Sequence, residues 1–387
     1  AFTDPQNNLF FTALFISLLA FFSATQDILI DAFRIESAPQ SQQGPLSSMY
    51  IAGYRVGMLT AGAGSLWLAA FFGTETYNQD VWMKVYLIMS IFMLIGVFTT
   101  IYSKEPKIKK KFNKNNHFKF FLTIFFAVIG FIFLYSIIDN PYGKNDILLS
   151  FIFSIARLIS CFIFGFFVIY FLIIFNFVSK EKISISYLSP ITNFLKRYGK
   201  FAFFILLLIS LYRIADVVMG VMANIFYLEK GYKISEIATF SKFFGVFATI
   251  VGGFIGGYCS YKFGTMKALF FGALIAALSN LLFAWLAISP TSIDFLIAVI
   301  TADNISSGFA GAAFVIYLSG LTSIKFTATQ YALFSSIMLF LPKLIAGYAG
   351  SWVDIMGYAY FFSFTAFLGI PVLILIIWIG KVAPIKN

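Results

Sequence analysis

Charge is scarce in this chain. Only 11% of its 387 residues are Asp, Glu, Lys or Arg, against 60% that are hydrophobic, so there is too little polar surface to wrap a soluble protein of this size. That composition speaks against soluble enzymes and nucleic-acid binders. The net charge of +11 sits mostly in short loops between apolar runs, where membrane topology accounts for it and nucleic acid does not. Cysteine is limited to Cys161 and Cys259, both inside apolar runs, which supports neither a disulfide framework nor a zinc site. The one histidine, His117, follows a lysine-rich loop and reads as a solvated loop residue. A membrane-embedded enzyme would want clustered His, Cys or carboxylates near an interface. None is found, so the chain is not expected to be an enzyme or to carry a metal or cofactor.

What is present is a series of apolar runs close to the ~20 residues that cross a bilayer. They predict an all-α polytopic bundle of eleven helices at 9–33, 49–72, 81–102, 118–138, 147–178, 201–227, 237–258, 266–287, 295–318, 330–350 and 358–379. Basic residues set the orientation, because Lys and Arg are retained on the cytoplasmic side during insertion. Eighteen of the 27 fall in the loops after odd-numbered helices up to the ninth and in the C-terminus, including Arg34, Lys104, Lys107, Lys109, Lys110, Lys111, Lys114 and Lys119. The opposite side has Lys84, Lys144, Lys230 and Lys233. Asn387 is therefore expected inside and Ala1 outside. All five tryptophans lie near span ends and read as an interfacial belt.

An external start without methionine or signal peptide predicts an odd number of helices upstream. A weak internal repeat gives the number. "GYRVGMLTAGAGSLW" and "PKLIAGYAGSW" each place a cation seven residues before glycine, Arg55 with Gly62 and Lys343 with Gly350, and each ends in Trp. If those helices are equivalent, residues 201–387 form a six-helix C-terminal half and 1–103 the last three helices of an N-terminal half. Residues 104–200 then hold basic loops and two inserted helices. This is the parallel two-half plan of major facilitator transporters, with three helices expected before Ala1. The chain alone is expected to insert but to stay inactive until those helices are restored.

Isolated polar groups inside the spans need a partner or a cavity, since a charge at the bilayer centre costs roughly 2.5–3.5 kcal/mol. In "FFSATQDILIDAFRIES", Ser23, Asp27 and Asp31 lie along one helix stripe with Gln26 beside it. Asp31 reads equally as a hydrated helix terminus or a functional group. Arg213 and Asp216 are spaced for an intrahelical pair, structural or functional. Asp303 and Asn304 lie near mid-depth, Lys343 follows Pro342, and Arg55 and Lys242 either snorkel or face the interior. The inserted helices show no chemistry beyond Arg157. A central polar cavity between halves explains this distribution economically. Gly252 with Gly256, Gly253 with Gly257, and the "GFAGAA" stretch are small-xxx-small faces for close helix contact.

"FFSATQDILIDAF", "YIAGYRVGML", "LYRIADVVMG", "FSKFFGVFATIVGGFIGG" and "FTATQYALFSSI", in that order, resemble the AmpG muropeptide permeases of the major facilitator superfamily. Acetyl-CoA transporters are similar around Gln26 and Asp27. The resemblance implies proton-driven import of GlcNAc-anhydromuramyl sugars, with or without peptide, across a bacterial inner membrane for peptidoglycan recycling. It makes Arg55, Arg213 and Lys343 candidates for the substrate carboxylate, and Gln26, Asn304 and Gln330 for sugar hydroxyls. Asp27, Asp216 and Asp303 are the proton-coupling candidates. The second-half gating loop keeps Lys262, Gly264 and Lys267 but has Tyr261 where an aspartate would sit. An inactive truncated paralogue and a carrier of another anionic solute such as acetyl-CoA are the alternatives. The partners implied are the substrate, protons and the lipid bilayer.

Overall fold

In the computed structural model the structure describes residues 2–73, 78–106, 117–142 and 146–382, without the side chains at 117, 182, 234, 235, 238 and 242. Lys107, Lys109, Lys110, Lys111, Lys114, Lys144, Ala1 and Asn387, and the side chains of His117, Lys182 and Lys242, lie outside what is described. The first helices are α1 Leu9–Glu36, α2 Gln43–Leu59, α3 Ser65–Phe71, α4 Gln79–Tyr102, α5 His117–Ile137 and α6 Ile147–Ile174. Short helices α7 Lys180–Ile183 and α8 Ser189–Tyr198 lead to α9 Ala202–Leu211, α10 Ile214–Glu229 and α11 Ile234–Ile237. The remainder are α12 Gly245–Phe263, α13 Thr265–Ile288, α14 Ile293–Leu321, α15 Thr327–Ala346, α16 Ala349–Phe367 and α17 Gly369–Val382.

Polar caps mark where several apolar runs begin. Asn8 accepts from Phe11 N–H, Asn78 from Asp80 and Val81 N–H, and Asp146 from Leu149 N–H, each satisfying a donor that the first helical turn leaves unpaired. Among the described residues ten helical runs are long and apolar enough to cross a membrane. The expected span 49–72 is helical but is not one of them. It runs as α2, a π-helical turn at Thr60–Gly64 and α3, and its glycines together with Arg55 dilute the apolar character. The chain is thus an all-α, multi-pass membrane protein.

The buried core lies almost wholly within residues 194–379, around Phe226, Phe283, Phe314, Tyr317, Phe334, Phe361 and Phe362. By contrast, the apolar windows of α1 and α4 are 0% and 6% buried. Such wide exposed apolar faces suit lipid and not water. Glycine determines where the helices come closest. A Cβ on Gly252, Gly256 or Gly308 would collide with backbone of the facing helix, so α12 and α14 meet almost backbone to backbone. Helix α2 docks on the other side of α12, where a Cβ on Gly44 would lie 2.9 Å from the Gly257 carbonyl oxygen. Ser48 Oγ donates to the Gly253 carbonyl there at 3.0 Å.

This seam has a direct test. Gly308→Ala is expected to lower the thermal unfolding temperature of the detergent-purified protein, at an overpacking cost of about 1–3 kcal/mol. Gly53→Ala, whose Cβ meets nothing within 4 Å, should be neutral or mildly stabilising. Equal effects of the two would mean that close approach is not what Gly308 provides.

Candidate functional site

The break between α9 and α10 creates the centre of the site. Arg213 occupies the N-cap of α10 with φ −96° and ψ 8°, and Asp216 lies in the first turn, where the helix dipole favours a carboxylate. The two form an ion pair, with side chains 23% and 19% exposed, so they remain partly open to a cavity. That cavity is a cleft of ≈ 190 Å³ between α2 and the C-terminal helices, lined by Tyr50, Tyr54, Arg55, Arg213, Thr249, Ser307 and Met338 among others. Gly311 makes room for Arg213, since a Cβ there would lie 3.4 Å from Nη1.

Arg55 and Asp303 complete the electrostatic group. Each lies within Coulombic range of the Arg213–Asp216 pair and of the other. Ser279 Oγ donates to Asp303 Oδ1 at 3.4 Å, and Ser306 Oγ donates to Ser279 Oγ at 3.2 Å. Arg55 makes no ion pair among the described residues, where its side chain donates at 3.9 Å to Met58 Sδ. Two guanidinium groups and two carboxylates therefore lie within Coulombic range of one another, with both guanidinium groups in the wall of the cleft. Their formal charges cancel, so an added anion leaves a net charge in a poorly solvated place. A charge so placed is costly unless it is matched.

The other residues named from the sequence are placed differently. Asn304 is turned into the α12–α14 seam, accepting from Thr249 Oγ1 at 3.0 Å and donating to the Ile300 carbonyl at 2.8 Å. Gln330 is buried in another cluster. Its Oε1 accepts from Arg197 Nη2 at 3.2 Å and Ser323 N–H at 2.7 Å, and its Nε2 donates to the Pro190 carbonyl at 2.8 Å. It fastens α8 to α15 instead of facing the cleft. Gln26 and Asp27 are exposed on α1. Lys343 lines a neighbouring cleft with Tyr135, Leu158, Ser335 and Ser336. Gly264, at φ +90°, forms the tight turn between α12 and α13. Lys262 lies over the rings of Tyr258 and Phe263, and neither it nor Lys267 makes an ion pair among the described residues.

Sequence reasoning missed a second polar cluster one helical turn or more from the cleft. Asp31 is not a hydrated terminus: it is 8% exposed and accepts from Arg34 Nη2 at 3.3 Å. Arg34 Nη1 also donates to Gln43 Oε1 at 3.2 Å, Ser47 Oγ at 3.3 Å and Ser319 Oγ at 3.0 Å. Its guanidinium carbon lies 5.4 Å from the ring centroids of both Tyr50 and Tyr331. One side chain thus joins α1, α2, α14 and α15 in a latch, and Tyr50 links that latch to the cleft. The only signal in the sequence was the i, i+3 spacing of Asp31 and Arg34.

Removing one partner of such a buried pair costs about 3–5 kcal/mol. Arg34→Ala is accordingly expected to open the latch. A cysteine at Ser47, which is 0% exposed, should resist a thiol reagent in the otherwise unchanged protein and react in the Arg34→Ala background. Equal protection in both would show that Arg34 does not hold the helices together.

No family model matches the chain. It is 30% identical over 364 residues to a protein carrying the name transporter AmpG 4 in Rickettsia conorii, covering 94% of this chain and 71% of that protein. A protein named transporter AmpG 1 from Rickettsia prowazekii is 30% identical over 396 residues, covering 97% and 77%. A third, named transporter AmpG 3 from Rickettsia prowazekii, is 28% identical over 360 residues, covering 93% and 69%. With this similarity along nearly its whole length, and with its multi-pass helical fold, the chain belongs to the AmpG family of major facilitator transporters.

Proposed function

We propose that the chain carries anhydromuropeptides, GlcNAc-anhydromuramyl sugars with or without peptide, into the cytoplasm together with protons, in the inner membrane of a bacterium that recycles its peptidoglycan. The observation that carries this reading is the charge-balanced group of Arg55, Arg213, Asp216 and Asp303, whose two arginines stand in the wall of one cleft. Arg55, which has no ion-pair partner among the described residues, receives the lactyl or peptide carboxylate, and Tyr50, Tyr54 and Ser307 offer hydroxyls to the sugar. A proton on Asp216 neutralises it and frees Arg213 to make a second contact with the anion. Loss of that proton re-forms the Arg213–Asp216 pair and displaces the substrate. Proton and anion then bind and leave together, which is symport. Asp303, within Coulombic range of Asp216, is the second place for that proton.

The organisation that accompanies this reading is two helical halves, 1–103 and 201–387, with 104–200 between them. The Arg34 latch closes the cytoplasmic end, and the α12–α13 turn at Gly264 lies at the same end. There a Cβ on Gly44 would lie 3.6 Å from Tyr261 Cβ.

Two measurements test this reading. In a bacterium lacking its own muropeptide permease, the protein should support proton-dependent accumulation of labelled anhydromuropeptide. Asp216→Asn should abolish accumulation while leaving exchange of bound substrate measurable, and Arg55→Gln should weaken both. Accumulation that survives dissipation of the proton gradient would overturn proton coupling. Orientation is read by labelling single cysteines with an impermeant reagent in intact cells, after replacement of Cys161 and Cys259. A cysteine at Tyr142 should react and one at Lys180 should not; the reverse would invert the topology.

A further inference from the structure

The α5–α6 pair carries a feature that the transport reading leaves unused. These helices are fastened to the C-terminal helices at one end, where Ser150 Oγ and Ser154 Oγ lie 3.3 Å and 3.0 Å from Tyr348 Oη. Phe151 packs edge-on against Tyr348, and Phe162 against Phe340. Beside this contact lies a cleft of ≈ 590 Å³ with Tyr135, Leu158 and Lys343 in its wall. One turn further along the same two helices, Phe131 and Phe162 begin a second groove of ≈ 330 Å³, which continues past Ala127 and Gly165 to Ile124. The two clefts follow one another along the α5–α6 surface, with the Phe162–Phe340 contact between them. From Tyr135 to Ile124 they follow α5 for about 16 Å at ~1.5 Å per residue. That is about half of a ~30 Å hydrocarbon core, the depth of a single leaflet.

The two clefts differ chemically. The inner one is apolar, and its floor is lowered by Ala127 and Gly165, whose backbones face each other closely; a Cβ on Gly165 would lie 3.5 Å from the Ala127 carbonyl. The outer one is cationic. Lys343 lies in the last turn of α15, the level at which headgroups begin, and makes no ion pair among the described residues. Arg157 stands over the Tyr135 ring, with its guanidinium carbon 3.7 Å from the centroid, and donates to the Tyr135 carbonyl. Its Nε is buried without a hydrogen-bond partner. Lys343 in the cleft wall, with Arg157 directly behind Tyr135, complements an anion attached to an acyl chain.

We infer that the α5–α6 pair and α15 form a binding site for one anionic phospholipid, its phosphate at Lys343 and Arg157 and an acyl chain in the groove over Gly165. The lipid fills the surface between the inserted pair and the C-terminal helices. Its retention does not depend on which solute the protein carries.

Native mass spectrometry of the full chain in detergent tests the site, with phosphatidylglycerol and phosphatidylcholine of identical acyl chains as probes. The unmodified protein should retain phosphatidylglycerol about fivefold more strongly, the ratio expected when one cation contributes ~1 kcal/mol. Lys343→Gln should remove that preference and Lys343→Arg should keep it, which separates lost charge from lost folding. Gly165→Leu should reduce retention of both lipids without changing their ratio. Equal retention of the two lipids by the unmodified protein would overturn the inference, as would an unchanged preference in Lys343→Gln. Glycerol 3-phosphate competing as effectively as phosphatidylglycerol would also overturn it, because the site would then take a soluble anion without a chain.

Discussion

A charge that leaves water inside a bilayer has to be matched by charge or hydrogen bonds from the protein itself, because hydrocarbon offers neither. That constraint arranges most of the polar chemistry here. Arg34 with Asp31 and Arg213 with Asp216 are both pairs at i, i+3 on one helix, the cheapest way to bring a guanidinium and its counter-ion through an apolar environment. Arg197 is satisfied by the Leu321 carbonyl and Gln330, and Arg157 in part by the Tyr135 carbonyl and ring. Arg55 is the exception. It stands in the cleft without an ion-pair partner among the described residues, which is what the proposed anionic solute would supply.

Sterics decide where those charges meet. The glycine seam between α12 and α14 lets two backbones touch, and Gly44 extends the same contact to α2. Helix α2 is thereby held with Tyr50, Tyr54 and Arg55 facing Arg213, while Gly311 keeps the opposite wall open. Glycine surfaces have little to interdigitate, so these seams hold by close backbone approach and not by interlocking side chains. Sequence, packing and mechanism therefore meet in the same few positions: small residues in the seams, paired charges beside them, and one unpaired charge in the cleft.

What could be read from the sequence was local. The membrane class, the helices and the Arg213–Asp216 pair follow from composition, from the length of apolar runs and from a spacing of three. The GGFIGG and GFAGAA stretches announced a close contact, although not that each would face the other. What stayed hidden was assembled across the chain. Arg34 and Ser319 are 285 residues apart, and nothing near Arg34 distinguishes it from an ordinary cytoplasmic cation. Gln330 and Asn304 looked like free sugar-binding amides, but their neighbours in space, Arg197 and Thr249, had already taken their hydrogen bonds. Lys343 looked central because its helix is; a helix has more than one face, and its side chain lines the cleft shared with α5–α6.

The central claim is that a charge-neutral cleft admits an anion only together with a proton. Proteoliposomes loaded with a pH-sensitive dye, with no gradient imposed, test it most directly when anhydromuropeptide is added outside. The account predicts that the lumen acidifies as substrate enters and that the Asp216→Asn protein shows no such change. Substrate entry with the lumenal pH unmoved would contradict it.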